Sequence, residues 1–283
     1  MPNTPAPREL RREISRSVAV VSDTHVGSRY AIFPDGFIGG EGNNLSAARN
    51  PAQRKLYAHF QNFLDVCKEF QVDSVILPGD IMAGTNPKKF GYQNLTPQLD
   101  EQVEAAALLL KPLCADRDVV VVEGTEYHGS RDMEIHAQLA EKLKGIARSC
   151  TWEGHVANLK LLPGKRNINV MHGASSAFIY REARLGREVV QFKVAQADGK
   201  LERYDILLRG HWHEWLQIDS HRVHVIQCPA WQAFYPYKGS LLGYAKFQPD
   251  IGGVIILLDK FDRIEVLHFL YPCPKIVGKL RRW

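Results

Sequence analysis

Carboxylate and imidazole side chains follow five separate apolar runs of this sequence, and both are common ligands of divalent metal ions. Two of the five positions carry a spaced pair, Asp-Thr-His and His-Trp-His, whose alternate side chains point the same way along an extended segment. In chain order the residues are Asp23 with His25, Asp80, Thr125 with Glu126 and His128, His172, and His211 with His213. The set predicts a metal centre if the fold brings the five positions together.

Each of these positions lies where a predicted β-strand ends. Short valine- and isoleucine-rich runs, such as SVAVV, SVIL and VVVV, are typical of buried strands. Between them, apolar residues recur on one helical face, as at Leu56, Phe60 and Phe63. Strands alternating with helices first, and mostly strands later, predict an α/β sandwich built on two sheets. The carboxyl ends of strands in an open α/β sheet form one rim, so the five positions are expected to converge.

A structural role could explain any one of these residues alone. An aspartate at a strand end commonly caps a helix or forms a turn. Glu126 and His128 could likewise form an ion pair that caps the next helix. Five successive strand ends would, however, require five independent coincidences. The other histidines lie within helix or strand patterns and are interpreted as structural: His59, His136, His155, His221, His224 and His268.

Length and composition favour one elaborated domain. The chain has 283 residues, 45% of them hydrophobic, which is enough to bury one large core. We expect a mobile leader over residues 1–16, a single domain over 17–272 and a basic tail over 273–283.

Charge and cysteine content bear on the partners and the cellular compartment of the protein. Lys plus Arg outnumber Asp plus Glu by 36 to 31, which is compatible with a polyanionic partner without requiring one. The five cysteines are widely spaced and never form a CxxC pair, so neither a disulfide framework nor a zinc knuckle is indicated. No apolar signal region or membrane-spanning run is present, and we expect a soluble cytoplasmic protein with no membrane partner. The sequence leaves the oligomeric state open.

The motifs DTH, GD, a glycine-led loop, HG and GHWH occur in this order over about residues 17 to 230. This order resembles the calcineurin-like metallophosphoesterases, a superfamily of phosphatases and nucleases. The resemblance implies a four-layer α/β/β/α sandwich, with two mixed sheets flanked by helices and two metal ions at the strand ends. The implied ligands are Asp23, His25 and His213 for the first ion, Asp80 for both, and His172 and His211 for the second.

Two such ions would support phosphate ester hydrolysis. Two cations about 3.5 to 4 Å apart clamp a phosphoryl group and lower the pKa of a water between them, so that hydroxide attacks in line. A mixed Asp and His shell suits Mn²⁺, Fe or Zn²⁺ better than Mg²⁺. We expect two divalent metal ions, Mn²⁺ by preference, with Fe and Zn²⁺ as alternatives.

The loop after the third strand departs from the family pattern Gly-Asn-His. Here Thr125 follows Gly124 in the place of the Asn, Glu126 takes the place of the His, and His128 comes two residues later. Three interpretations are open: the threonine leaves a weak second metal site, Glu126 supplies a carboxylate ligand, or the loop is wound so that His128 reaches the leaving oxygen as general acid. We favour the third, combined with a weakened second site. The Gly-Thr-x-x-His loop is similar to that of a phage and prophage branch of the superfamily.

Aromatic residues are one candidate for substrate binding. Those next to a phosphate site could stack on nucleobases. Trp215 and Phe234 are better explained as packing between the sheets, and the Trp212 side chain is expected to face away from the metals. The aromatic residues are Trp212, Trp215, Trp231, Phe234, Tyr235, Tyr237 and Tyr244.

Cationic residues and long loops are the other candidates. Arg29, shortly after His25, is expected to contact a bound phosphate. Arginines 181, 184 and 187 follow one face of a predicted helix, which fits a phosphate track and a solvated face equally. Long loops over residues 29–50 and 84–97 are where substrate choice could reside.

These observations predict a metal-dependent hydrolase of phosphate esters. The mild positive charge and the aromatic residues favour phosphodiesters, with DNA or RNA as possible partners. The alternative is a phosphomonoesterase acting on a nucleotide or phosphoprotein. A non-catalytic scaffold of the same fold is a third hypothesis, which the retention of six ligand candidates disfavours.

Overall fold

The structure is a computed structural model that describes residues 14–40, 42–85, 93–128, 134–173, 181–220, 222–233 and 248–274. Most of the expected leader and tail lie outside these residues, as does part of the 84–97 loop. So do His221 and four of the aromatic candidates, Phe234, Tyr235, Tyr237 and Tyr244. In the part of the chain that is described, no helix is long and apolar enough to cross a membrane.

The helices have the one-face apolar spacing that the sequence predicts. The first helix begins with a capping box, in which the Asn50 side chain accepts from the Gln53 N–H and the Gln53 side chain accepts from the Asn50 N–H. Leu56, Phe60 and Phe63 form its buried face. The helices are α1 Pro51–Glu69, α2 Leu99–Cys114, α3 Ile135–Lys144 and α4 Arg181–Ala197.

The strands form two sheets. The first is ordered β11-β10-β1-β2-β3-β4 and the second β5-β6-β7-β9-β8. The strands of the first sheet are β1 Ile14–Val20, β2 Ser74–Leu77, β3 Asp118–Val121, β4 Ser149–Trp152, β10 Ile251–Asp259 and β11 Ile264–Tyr271. The strands of the second are β5 Val156–Leu161, β6 Arg166–Met171, β7 Ile206–Arg209, β8 Leu216–Ser220 and β9 Val223–Gln227.

Both sheets are mixed, and their central strands are parallel. β1, β2, β3 and β4 pair in parallel in the first sheet, and β6, β7 and β9 do so in the second. The five strands that precede the candidate ligands, β1, β2, β3, β6 and β7, all belong to these parallel sets. Their carboxyl ends therefore lie along one rim.

Three apolar clusters separate four layers. Along β1, Ala19 faces the cluster formed with α1, α2 and α3, whereas Val18 and Val20 face the cluster between the two sheets. The third cluster joins Leu185 of α4 to Leu207 of β7 on the outer face of the second sheet. The expected α/β/β/α sandwich of two mixed sheets flanked by helices is therefore confirmed.

Candidate metal centre

The structure brings six of the predicted residues together at the rim, and we call them the Asp/His cluster. They are Asp23, His25, Asp80, His172, His211 and His213. Each of three groups among the described residues offers ligand atoms within 4.8 Å of one another. The groups are Asp23 with His25 and His213, His25 with Asp80 and His128, and Asp80 with His172 and His211.

Asp23 links the two sheets. Its Oδ1 lies 3.2 Å from His213 Nε2 and 3.6 Å from His25 Nε2. Its Oδ2 accepts from the Ser22 hydroxyl at 2.6 Å and from the His211 backbone N–H at 3.0 Å. His211 follows β7 of the second sheet and Asp23 follows β1 of the first. This carboxylate therefore joins the carboxyl ends of the two sheets.

Asp80 belongs to two of the three groups. Its Oδ2 lies 2.9 Å from His172 Nε2, and its Oδ1 accepts from the Thr125 backbone N–H at 2.7 Å. The Thr125 hydroxyl lies 3.2 Å from both carboxylate oxygens. Thr125 thus holds the Asp80 carboxylate in its orientation.

Nitrogens of the histidine rings lie close to one another and to the carboxylates. His172 Nδ1 lies 2.7 Å from the Pro78 carbonyl, which can only accept, so the Nδ1 proton is donated there. Its buried Nε2 faces Asp80 Oδ2 at 2.9 Å, so a proton or a metal ion between the two atoms would bind to both. His25 Nε2 faces His213 Nε2 at 3.0 Å. Two ring nitrogens this close fit ligands that converge on a cation, so the donor set fits metal ions.

The electrostatics of the cluster also favour a cation. Burial would raise the pKa values of Asp23 and Asp80, but His172 and neighbouring histidines hold both well below the ordinary range. Burial, followed by the charge of His128, lowers the pKa of His25 to about 3. Burial would lower the pKa of His172 too, but the two carboxylates raise it to about 9. The carboxylates therefore stay ionised and attract positive charge, which a bound metal ion would supply in place of the proton.

The backbone of the cluster is held in an uncommon conformation. Nine described non-glycine residues have a positive φ, and five of them belong to the cluster. Such angles cost free energy and persist only where the surroundings enforce them, which is frequent at functional sites. The angles are 51° at Asp23, 41° at His25, 48° at Asp80, 81° at His211 and 58° at His213.

Two glycines permit the strand ends to approach each other. A Cβ at Gly124 would overlap the Asp80 carboxylate, and one at Gly210 would lie 2.8 Å from His172 Nδ1 and 2.9 Å from Asp23 Oδ2. Any larger residue would displace the side chains of the cluster.

A buried chain of hydrogen bonds supports the loop that carries Asp80. His136 is fully buried, and its Nε2 accepts from the backbone N–H of Ile81 at 3.2 Å. Its Nδ1 lies 2.7 Å from Glu123, whose other oxygen accepts from Trp152 Nε1 at 3.1 Å. His136 thus has a structural role, as expected: it holds the backbone at Ile81, which directly follows Asp80.

The loop after β3 places its three candidates differently. Thr125 contacts Asp80, as described, whereas Glu126 is exposed and lies outside the three ligand groups. His128 is half-buried, its Nδ1 lies 2.8 Å from the Ala83 carbonyl, and its ring centroid is 4.3 Å from that of His25. In the described part of the chain no ion pair joins Glu126 to His128.

Two cavities meet beside the cluster. One, the cluster cavity, has a volume of about 680 Å³ and is lined by the β3 loop, His172, His211 and His155. The other, the α4 cleft, also encloses about 680 Å³ and lies between α4 and the ends of β6, β7 and β9. Met171 and Gly173 line both. His155, interpreted as structural from sequence, carries no motif that could have predicted its place in a cavity.

Of Arg29 and the three described tryptophans that were candidates for substrate binding, one lines a cavity beside the cluster. Arg29 is exposed, its Nε donates to the Asn94 carbonyl at 3.1 Å, and it lines neither cavity. Trp231 is fully buried in the core under α1, so it cannot stack on a base. Trp215 packs against the cluster between the sheets, as expected. Trp212 lines the α4 cleft, 5.5 Å from the Arg184 guanidinium.

Comparison with family models and with curated proteins gives no match. Among solved structures, an archaeal phosphodiesterase aligns over 89% of this chain and 99% of its own, with 16% identity and a TM-score of 0.43. Zinc-bound Vps29 from Entamoeba histolytica aligns over 90% and 98%, with 15% identity and a TM-score of 0.40. Vps29 from Cryptosporidium parvum aligns over 92% and 99%, with 11% identity and a TM-score of 0.41. At these values the assignment of function depends on the site itself.

Proposed function

We propose that the protein is a metal-dependent hydrolase of phosphate esters that acts on phosphodiesters. The observation that carries the proposal is the position of Asp80, which belongs to two ligand groups at once. A shared carboxylate flanked by imidazoles on both sides is the arrangement that holds two cations next to each other. A single structural ion would need only one of the groups.

The proposed ligands combine the three groups, which are connected through His25 and Asp80, and leave His128 for another role. Asp23, His25 and His213 hold one divalent ion, His172 and His211 hold the other, and Asp80 bridges both. When bound, the two ions supply the Lewis acidity that neutralises the phosphoryl oxygens and activates a water. The mixed oxygen and nitrogen donors favour Mn²⁺, with Fe and Zn²⁺ as alternatives.

The second ion is proposed to be the weaker one. Its group has one carboxylate and two imidazoles, and no carboxylate or imidazole of the β3 loop belongs to it. The first group has two carboxylates within reach, Asp23 and the bridging Asp80, and metal affinity rises with ligand number and charge.

His128 is proposed as the general acid. A bond from Nδ1–H to the Ala83 carbonyl fixes its ring and leaves Nε2 to carry the proton for the leaving oxygen. Its ring lies against His25 at the edge of the cluster. Glu126, exposed beside it, is given no catalytic role.

The preference for diesters is supported by the two cavities. A phosphodiester carries an organic group on each side of the phosphorus, whereas a monoester carries one. The cluster cavity and the α4 cleft each have a volume typical of a ligand site, about 300 to 1,000 Å³, and they meet at Met171 and Gly173.

We place the activity in a reducing compartment such as the cytoplasm. Every cysteine among the described residues is free, and four of the five are buried. Burial raises the pKa of Cys67 to about 12, so this thiol stays protonated and unreactive.

Hydrolysis of two chromogenic esters tests the proposal. Protein stripped by a chelator and reloaded with Mn²⁺ is expected to hydrolyse bis-p-nitrophenyl phosphate, and to do so faster than p-nitrophenyl phosphate. Faster release from the monoester would favour the phosphomonoesterase alternative. Absence of hydrolysis with Mn²⁺, Fe²⁺ or Zn²⁺, together with no bound ion by elemental analysis, would favour the scaffold.

A further inference from the structure

The α4 cleft carries charge that the hydrolytic centre does not use. Arg209 is buried at its floor, but its Nε donates to Glu188 at 2.7 Å, so this pair is neutral overall. Arg184 and Arg187 also line the cleft from α4, and within the described residues neither forms an ion pair. Two positive charges in this cleft are therefore uncompensated.

One of these charges is held in place by an aromatic ring. The Arg184 guanidinium lies 5.5 Å from the centroid of the Trp212 ring. A guanidinium stacked on a ring still directs its N–H donors outward in its own plane, where they can bind a phosphate in a bidentate manner. Trp212 lies between His211 and His213, so the arginine is anchored directly to the loop that carries two cluster residues.

The shape of the cleft selects among polyanions. A volume of about 680 Å³ accommodates a nucleotide-sized ligand, and a duplex would be too wide for it. Phe192, the other aromatic side chain of the lining, has the Arg209 guanidinium 5.6 Å from its ring, so that ring is occupied by a partner from the protein. The groups that remain for a ligand are cationic, and they suit phosphates more than bases.

We propose that the α4 cleft binds the backbone of a single-stranded nucleic acid next to the phosphate that is cleaved. Arg184 and Arg187 contact a phosphate that neighbours the cleaved one, and recognition is independent of base identity. This inference rests on the proposed function for the identity of the cleaved bond. Its binding step can be measured without turnover.

The test compares two double variants with the same change of charge. The cleft variant is Arg184→Gln with Arg187→Gln. The control is Arg203→Gln with Arg222→Gln, two arginines that precede β7 and β9 at the opposite end of the same sheet. Because these side chains are exposed or half-buried, both variants are expected to keep the melting temperature of the unaltered protein.

Binding of a fluorescent oligothymidylate of about ten nucleotides is followed by anisotropy, with chelator-treated protein that cannot cleave it. The cleft variant is expected to bind about tenfold more weakly and to show a salt slope smaller by about 0.7, because the contacts to one phosphate of a single strand are lost. The control variant is expected to bind like the unaltered protein. Equal binding by all three proteins, or equal weakening in both variants, would overturn the inference.

Hydrolysis separates this inference from the function it rests on. Turnover of bis-p-nitrophenyl phosphate, which has a single phosphate and therefore no neighbouring phosphate for the cleft arginines to bind, should be the same in both variants. If the unaltered protein hydrolyses this ester but the cleft variant retains full oligothymidylate binding, only the cleft assignment fails. If no ester is hydrolysed while binding still depends on Arg184 and Arg187, the hydrolase fails and the binding cleft remains.

Discussion

The two sheets contribute to the Asp/His cluster in different ways. The first sheet supplies both carboxylates, and its residues are sealed from solvent: Asp23, His25 and Asp80 have 0%, 1% and 1% of their surface exposed. The second supplies only imidazoles, of which His211 and His213 are half-buried and His211 lines the cluster cavity. The first sheet therefore provides the negative charge that attracts cations, and the second provides imidazoles, two of which lie on the more open side of the cluster.

Backbone hydrogen bonds explain this difference. The segments after β1 and β2 run side by side, with the His25 N–H donating to the Asp80 carbonyl at 3.0 Å and the Val26 N–H donating to that of Ile81 at 2.8 Å. The corresponding link in the second sheet joins the Gly210 N–H to the His172 carbonyl at 3.1 Å, before His211 and His213 are reached. Substitutions in the first sheet should therefore cost more activity than those in the second.

The largest effect is expected for Asp80→Asn. Loss of the bridging charge should reduce Mn²⁺-dependent hydrolysis about 10³-fold or more, since the Lewis acidity of the ions is worth several kcal/mol. His25→Ala should have a similar effect. Both variants should keep the circular dichroism spectrum of the folded protein. Asp219→Asn, which changes an exposed carboxylate paired with His224, is the control and should retain full activity.

His128→Ala tests the half-buried edge of the first sheet's part of the cluster. Loss of the general acid should lower turnover about 10²-fold or more, while elemental analysis should find the metal content unchanged. Glu126→Gln, a neighbouring change at an exposed side chain, should leave turnover as it is. A fall in metal content that accounts for the lost turnover would show that His128 is a ligand.

Gly124→Ala tests whether close approach of the strands holds Asp80 in place. The added Cβ would overlap the Asp80 carboxylate, and a displacement near 1 Å can cost about 10²-fold in rate. The free energy of unfolding should fall by about 1 to 3 kcal/mol from overpacking. In Gly186→Ala the new Cβ meets no atom within 4 Å, so this helix variant should be active and slightly more stable. Equal activity of the two variants would refute the steric argument.

The smallest effect is expected in the second sheet. His211→Ala removes a neutral, half-buried ligand of the weaker ion, so activity should fall about tenfold at low Mn²⁺ and recover as Mn²⁺ is raised. A Mn²⁺ titration of hydrolysis measures this shift. If His211→Ala lost as much activity as Asp80→Asn at every Mn²⁺ concentration, the two sheets would not differ in their contributions to the cluster.

The sequence predicted the parts of this account that depend on chain direction. A parallel strand must deliver the residues after it to the carboxyl rim, so the positions of Asp23, Asp80 and His172 followed from strand prediction alone. The strands that were not predicted, β4, β5 and β8, all lie at sheet edges. In β4 the short polar sequence SCTW hides the alternation that marks a strand.

Features that arise from packing between distant segments could not be predicted. The pairing of Glu123 with His136 and the overlap forbidden at Gly124 both depend on how neighbouring strands and helices meet. Arg29 was selected for its closeness to His25 in sequence, yet its guanidinium turns to the Asn94 carbonyl. Adjacency in the chain does not determine the direction of a long side chain on an exposed loop.

The most direct measurement of the central claim is a crystal structure with Mn²⁺ and phosphate, using anomalous scattering at the manganese edge. Two peaks about 3.5 to 4 Å apart are predicted, one bound by Asp23, His25 and His213 and the other by His172 and His211, with Asp80 between them. The second peak should be the weaker. A single peak, or ions bound away from Asp80, would contradict the account.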